Sequence, residues 1–231
     1  MDKIFGKYGI NISSHSIALL EHYINLLVSW NEKVNLTAIT DREQITIKHF
    51  LDSLMLSKFE NLAGKRLIDI GTGAGLPGIV LKIAEKQIDL ALLDSLNKRI
   101  AFLDEVISAL GLTNTRTYHA RAEDGAHTPD LRENFDIAVS RAVAKLSMLC
   151  EYSLPYVKVG GIFVAYKGRE YHEELAEAEA AIDVLGAKLE RVEEFRLEED
   201  HERALIFIRK LSQTPSNYPR KPHIIAKKPI M

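Results

Sequence analysis

Apolar residues in the first sixty positions recur at helical spacing. Ile17, Leu20, Ile24, Leu27 and Val28 lie three or four apart behind a pair of serines, which predicts a capped helix over 14–30. Residues 31–38 lose that period and read as a loop centred on Asn35, Leu36 and Thr37. Thr40, Asp41, Arg42 and Glu43 form a capping-box sequence, with the Thr40 hydroxyl taking the N3 amide and Glu43 reaching back. The helix it opens extends to about residue 59. His49 and Asp52 stand three apart on one face of it, a spacing that suits a helix-stabilising polar contact or a catalytic dyad.

Beyond residue 63 the pattern changes to short apolar runs at 67–70, 89–93, 115–119, 135–140 and 162–166. Helical stretches at 77–85, 95–110 and 145–157 separate them, with Gly111 as a helix C′ residue and Gly160-Gly161 as a turn. Such alternation predicts an α/β fold with a parallel sheet of right-handed βαβ units. The end differs. An acid-rich helix over 170–185 precedes two strands, 188–197 and 203–211, whose short charged connection Glu198-Glu199-Asp200-His201-Glu202 predicts an antiparallel hairpin. Residues 212–231 contain four prolines and read as an extended, poorly helical tail. The expected organisation is one structural domain: a helical cap over 1–62, an α/β body over 63–211 and a basic tail over 212–231. A chain of 231 residues can bury a core of that size.

The first predicted strand, Leu67-Ile68-Asp69-Ile70, runs into Gly71, Gly73 and Gly75, and Pro77 stands where a helix begins. Glycine permits positive φ and lets a ligand approach the backbone, and a helix N-terminus offers unpaired N–H groups. Strand, glycine loop and helix together form the nucleotide-pocket entrance of a doubly wound fold. Two registers fit. Gly73, Gly75 and Gly78 satisfy G-x-G-x-x-G, with Asp94 21 residues after Gly73, as a nicotinamide dinucleotide would require. Read from Asp69, the loop is D-x-G-x-G-x-G and resembles the entrance of S-adenosylmethionine methyltransferases. With Gly71 as the first glycine, Leu76 occupies the place of the third, and Asp69 suits an ammonium, directly or through water, better than a pyrophosphate. The loop therefore favours S-adenosylmethionine. Asp94 serves the ribose hydroxyls of either ligand.

In an open α/β sheet the ligand lies beyond the carboxyl ends of the strands. Those ends carry residues 71–76, Asp94-Ser95, residues 120–124, Ser140-Arg141 and Lys167-Gly168. Ala122 and Glu123 fit the adenine rim, and Arg141 the methionine end or the substrate. Lys98 and Arg99 are expected on the following helix as solvated charge or a phosphate contact. A parallel sheet finished by an antiparallel hairpin resembles the Rossmann-like class I methyltransferase arrangement.

Composition adds three constraints. No apolar run approaches the roughly 18 residues of a membrane span, and Met1-Asp2-Lys3 does not open a signal peptide, so a cytoplasmic protein is expected. The one cysteine, Cys150, excludes an intramolecular disulfide and a cysteine-based metal cluster, and its apolar helical setting predicts a packed thiol. The net charge of −2 conceals segregation: 13 of the 32 acids lie between Glu170 and Glu202, and none follows. Arg203, Arg209, Lys210, Arg220, Lys221, Lys227 and Lys228 make the end basic, which leaves room for a nucleic-acid partner.

The series Trp30-Asn31-x-Lys33-x-Asn35-Leu36-Thr37, His49-x-x-Asp52-Ser53, residues 69–78, Leu93-Asp94-Ser95-x-x-Lys98-Arg99, Arg121-Ala122-Glu123, Ser140-Arg141-Ala142 and Lys167-Gly168 spans essentially the whole chain. In this order it resembles the small-subunit ribosomal RNA methyltransferase G family, also called glucose-inhibited division protein B. The resemblance implies methyl transfer from S-adenosylmethionine to N7 of one guanine in bacterial 16S rRNA. It places cofactor contacts at Gly71, Leu76, Ala122, Glu123 and Arg141, which join Gly73 and Asp94 from the loop. It also implies 16S rRNA or the 30S subunit as partner, a monomer, and neither membrane nor metal.

Guanine N7 carries a free lone pair, so the attack needs no general base; holding nucleophile, methyl and sulfur in line can supply about 7–11 kcal/mol. The chain has no Asn-Pro-Pro-Tyr motif after the fourth strand and no Pro-Cys nucleophile; Arg141 stands there instead, as an orienting residue for the methionine carboxylate or the guanine. Three other readings remain: a small-molecule methyltransferase with the helical cap as lid, a nicotinamide oxidoreductase, and a non-enzymatic RNA-binding or ribosome-assembly protein. The basic tail is expected either to position rRNA phosphates or to lie disordered or packed along the surface.

Overall fold

The computed structural model describes residues 1–141, 144–198 and 201–230. Ala142 of the post-strand motif, Glu199 and Asp200 of the hairpin connection, and Met231 of the tail lie outside the described residues. Helix α1 (Asp2–Lys7), absent from the sequence expectation, precedes α2 (Ser14–Asn31). The side chain of Ser13 caps α2 by accepting the Ser16 amide. The next helical segment is a composite: α3 (Arg42–Ile45), a π-helical stretch (Thr46–Leu51), α4 (Asp52–Leu54) and a 3-10 turn (Met55–Lys58). Its cap lies one residue later than the capping box predicts. Asp41, not Thr40, is the N-cap and accepts the Gln44 amide, because a carboxylate is the stronger acceptor for an orphan N–H.

Strands β1 (Arg66–Ile70), β2 (Asp89–Asp94), β3 (Thr115–His119), β4 (Phe135–Arg141) and β5 (Val157–Gly168) are parallel, and β6 (Ala187–Leu197) and β7 (His201–Lys210) close the sheet as the antiparallel hairpin. The order is β3-β2-β1-β4-β5-β7-β6. The connecting helices are α5 (Gly78–Ala84), α6 (Asn97–Leu110), α7 (Ala122–Gly125), α8 (Leu146–Ser153) and α9 (Tyr171–Val184). Gly111 closes α6 at φ 61°, as expected of a C′ glycine. Gly160-Gly161 is not a turn between elements. Both glycines lie inside the 12-residue β5, where the pairing with β4 shifts register and a side chain at Gly161 would meet the Asp136 carbonyl at 2.7 Å.

The period of two in the strands divides the core. Leu67, Leu90, Leu92, Ile137, Val139 and Phe207 face a layer built from α1, α2, the 42–58 segment, α5 and α6. Ile68, Ala91, Leu93, Ala138, Phe163 and Ile206 face α8 and α9. Helix α2 joins the first layer through aromatic contacts: Tyr23 stacks on Phe50 at 5.3 Å, and Trp30 meets Phe102 of α6 at 5.6 Å. One hydrophobic cluster therefore runs from Phe5 through the N-terminal helices into the sheet.

The tail takes the packed one of its expected alternatives and departs from the extended reading only in a short helix. It contains a short helix, α10 (Pro222–Lys227), and is fastened to the domain. The buried Glu151 takes the Arg220 guanidinium through both oxygens at 2.9 and 2.7 Å, and Arg132 donates to the carbonyls of Tyr218 and Thr214 at 2.9 Å each. Proline content alone cannot report such partners, which are separated from it by more than 60 residues.

Candidate active site

The loop after β1 is held from below by Asp69. This carboxylate is fully buried, and Oδ2 accepts the Thr72 hydroxyl at 2.7 Å and the Gly78 amide at 2.8 Å. Burial raises its pKa to about 6, against the lowering effect of those two bonds. A side chain at Gly78 would come within 2.9 Å of Asp69 Oδ2 and 2.8 Å of Leu92, so this glycine is required by close approach. Two expectations are corrected here. Asp69 is a brace within the fold through Oδ2, enclosed by α5 and fully buried, so it does not meet a ligand's ammonium directly. The amide at the start of α5 is likewise spent on Asp69 and does not wait for an anion.

Gly71, Gly73 and Gly75 have φ of 68°, 61° and 88°, the left-handed values that a chain reversal without Cβ allows. From α2 the Tyr23 hydroxyl donates to the Ala74 carbonyl, which ties the N-terminal helices to this loop. Asp94, at the end of β2, is also buried. Its Oδ2 accepts the Gly73 amide at 2.9 Å and Arg99 Nη1 at 3.2 Å, while Oδ1 accepts the Leu96 amide at 2.9 Å. Arg99 thus belongs to the site instead of standing in solvent as its place on the helix suggested.

These groups border a cavity of about 530 Å³. Gly71, Gly73, Leu76, Asp94, Ala122, Glu123 and Arg141 all line it, so these seven sequence-derived candidates share one space, while Lys167 and Gly168, at the end of β5, line a different cavity. Glu123, in the first turn of α7, is 7% exposed and opens onto the cavity across from the glycine loop. A buried carboxylate at the end of β2 with a spare lone pair on Oδ1, a second one at α7 and a loop where a side chain added at Gly73 would meet only the Gly71 carbonyl, at 4.0 Å, fit an adenosyl group. Cys150 lies elsewhere, buried, with its thiol pKa raised by burial.

Arg141 stands at the far end. Ser140 Oγ donates to the Ile70 carbonyl at 2.9 Å and fixes the end of β4 beside the loop. Arg141 Nη1 then donates to Asp52 Oδ2 at 3.0 Å, and Nη2 lies 3.4 Å from His49 Nδ1. Among the described residues His49 and Asp52 do not bond to each other, contrary to the predicted contact. The π-helical stretch carries His49, and both side chains converge on an arginine some 90 residues away. Burial and the Arg141 charge lower the His49 pKa to about 4, so the imidazole is neutral at pH 7. Its Nε2 is hydrogen-bonded to the Thr37 hydroxyl at 2.8 Å.

Thr37 and Leu36 also line the cavity, though no role was expected of them. Asn31 bends their loop inward: Oδ1 accepts the Leu36 and Thr37 amides at 2.8 and 3.0 Å, and Nδ2 donates to the Thr37 carbonyl at 2.9 Å. The signal was the asparagine at a helix end before a polar loop, which predicts a local bracket but not its destination. Tyr152 and Pro222 line the cavity as well; nothing in the sequence places the tail there. Arg141 and His49 border a second cavity of about 570 Å³ on their other side, which Asp52, Lys48, Tyr166 and Arg203 also line.

A family profile described as rRNA small subunit methyltransferase G matches residues 16–206. The ribosomal RNA small subunit methyltransferase G of Lachnoclostridium phytofermentans is 51% identical over 92% of this chain and 88% of its own. That of Clostridium perfringens strain 13 is 46% identical over 100% of this chain and 97% of its own. Among solved structures, a SAM-dependent O-methyltransferase from Thermotoga maritima matches with a TM-score of 0.56 at 16% identity, over 82% of this chain and 72% of its own. M. jannaschii TYW2 in complex with AdoMet matches with a TM-score of 0.55 at 16% identity, over 69% and 75%. These two likenesses show the fold alone, that of Rossmann-like class I methyltransferases.

Proposed function

We propose a division of labour in the site from one premise: the chain belongs to the rRNA small subunit methyltransferase G family. It is an S-adenosylmethionine-dependent methyltransferase of ribosomal RNA. The cofactor supplies an electrophilic methyl on sulfur. Asp94 takes the ribose hydroxyls, Ala122 and Glu123 the adenine rim, and Gly71, Gly73 and Leu76 the face of the loop.

The acceptor is N7 of a guanine in 16S rRNA, presented on the 30S subunit. The observation that carries this reading is the junction between the two cavities, where a cationic Arg141 stands beside a neutral His49 of pKa about 4. N7 brings its own lone pair and needs no proton removed first. A histidine that weakly basic is of little use as a general base at neutral pH, whereas orientation by Arg141 suits a reaction governed by alignment. We take the protein to act as a cytoplasmic monomer, as an enzyme of ribosomal RNA does not require a membrane. No helix among the described residues is long and apolar enough to cross a membrane. The tail lysines Lys221, Lys227 and Lys228 are exposed near Pro222 at the cavity rim, in position to contact rRNA phosphates.

The test is transfer of labelled methyl from S-adenosylmethionine to 30S subunits and to naked 16S rRNA, both prepared without the modification, followed by nucleoside analysis. Labelled 7-methylguanosine is expected, with 30S the better acceptor. Label on another nucleoside, or none while the cofactor still binds, overturns the reading.

A further inference from the structure

Asp52 is 3% exposed, and its two oxygens have different fates. Oδ2 is taken by Arg141 Nη1 at 3.0 Å. Oδ1 is buried and accepts no hydrogen bond; Arg203 Nε stands 3.6 Å from it, close enough for attraction but beyond hydrogen-bond reach. A buried carboxylate oxygen left without a donor is costly, and in a native fold it calls for a partner. Asp52 lines the second cavity, whose volume of about 570 Å³ suits a nucleobase and whose wall includes Ile39 and Tyr166.

We propose that this second cavity receives the acceptor guanine and that Arg141 and Asp52 together read its O6 and N1–H groups, an inference that rests on the guanine-N7 reading above. The pair presents a donor, the Arg141 guanidinium, directly beside an acceptor, Asp52 Oδ1. Guanine presents the complement in the same order, the O6 acceptor beside the N1–H donor. Adenine presents the reverse, an N6 donor beside an N1 acceptor, and would set donor against donor and acceptor against acceptor. N7 is the neighbour of O6 on the side away from N1. With O6 on Arg141, which borders both cavities, N7 falls toward the cofactor cavity and the base is held by the edge that does not react. One arrangement thus fixes which base enters and which atom it offers. Bond making and breaking are those of the transfer itself: the N7 lone pair forms the new N–C bond while the sulfur keeps the electrons of the old one.

The decisive experiment uses the unaltered protein and 30S subunits reconstituted around ligated 16S rRNA bearing guanosine, inosine or 2-aminopurine at the methylated position. Inosine keeps O6 and N1–H but lacks the 2-amino group; 2-aminopurine keeps N7 and the 2-amino group but lacks O6 and N1–H. Transfer to inosine within a few-fold of guanosine, with 2-aminopurine slower by roughly tenfold or more, is expected. Equal transfer to 2-aminopurine, or loss with inosine, overturns the proposal. Failure of guanosine itself to accept a methyl would instead indict the underlying function.

A variant gives the second reading. In Asp52→Asn the amide oxygen stays on Arg141 and the NH2 group faces N1–H, so kcat/KM for unmodified 30S should fall roughly ten- to a hundredfold while S-adenosylmethionine affinity, measured by calorimetry, holds. Wild-type kcat/KM in a variant that binds the cofactor normally overturns the proposal.

Discussion

The carboxylate of Asp69 and the amide of Gly78, nine residues apart, meet at 2.8 Å beneath the glycine loop. The contact makes a brace of what reads as a ligand-binding acid, and the burial of that acid makes the loop sensitive to pH. The folded-state pKa of Asp69, about 6, is raised above the ordinary 3.8 by burial, so between those values the folded chain holds a proton that the unfolded chain releases. The associated stability is complete below the unfolded value and is lost as pH rises through about 6.

Asp69→Asn removes this titration. Measured by urea unfolding at several pH values, the wild type should lose about 2–3 kcal/mol relative to the variant between about pH 4 and about pH 6, and nothing further above that. A difference that stays constant across the window would show that Asp69 does not titrate there.

Asp94→Asn retains an acceptor for the Gly73 amide but gives up the charge that strengthens hydrogen bonds to hydroxyls. Since a charge-assisted bond contributes about 1.5–3 kcal/mol, S-adenosylmethionine affinity should drop roughly ten- to a hundredfold in calorimetry. The melting temperature should also fall, because the single amide oxygen of Asn can serve only one of the Gly73 and Leu96 amides and its NH2 group faces the other. Unchanged affinity would remove Asp94 from the ribose.

Arg141→Gln tests orientation at the junction. Methyl transfer to 30S should fall by at least about tenfold, with cofactor affinity within a few-fold of wild type. Normal turnover sinks the orienting role. A loss confined to cofactor affinity would move Arg141 to the methionine carboxylate instead.

The tail needs a gentler test than deletion of residues 212–231, since truncation would strip Glu151 and Arg132 of their partners. Replacing Lys221, Lys227 and Lys228 together with glutamine leaves those anchors alone. The slope of log affinity for 16S rRNA against log salt should become shallower by about 0.7–0.9 for each phosphate contact removed. An unchanged slope would assign the tail to packing only. Glu151→Gln, by contrast, should lower the melting temperature, because it weakens a bidentate pair whose carboxylate is 1% exposed.

The sequence by itself determined the α/β alternation, the closing antiparallel hairpin, the glycine loop and the strand ends that carry Asp94, Glu123 and Arg141. Each follows from short-range physics: the period of apolar residues reports which face a backbone buries, and glycine reports where the chain reverses. Tertiary structure alone decided what those residues touch. Asp69 belongs to the brace because β2 and α5 enclose it, and Arg99 joins Asp94 because the first turn of α6 folds back over β2. His49 and Asp52 meet Arg141 across some 90 residues, and Arg220 returns to Glu151 across 69. Such pairings depend on packing between elements, and no local period encodes the partner of a buried charge.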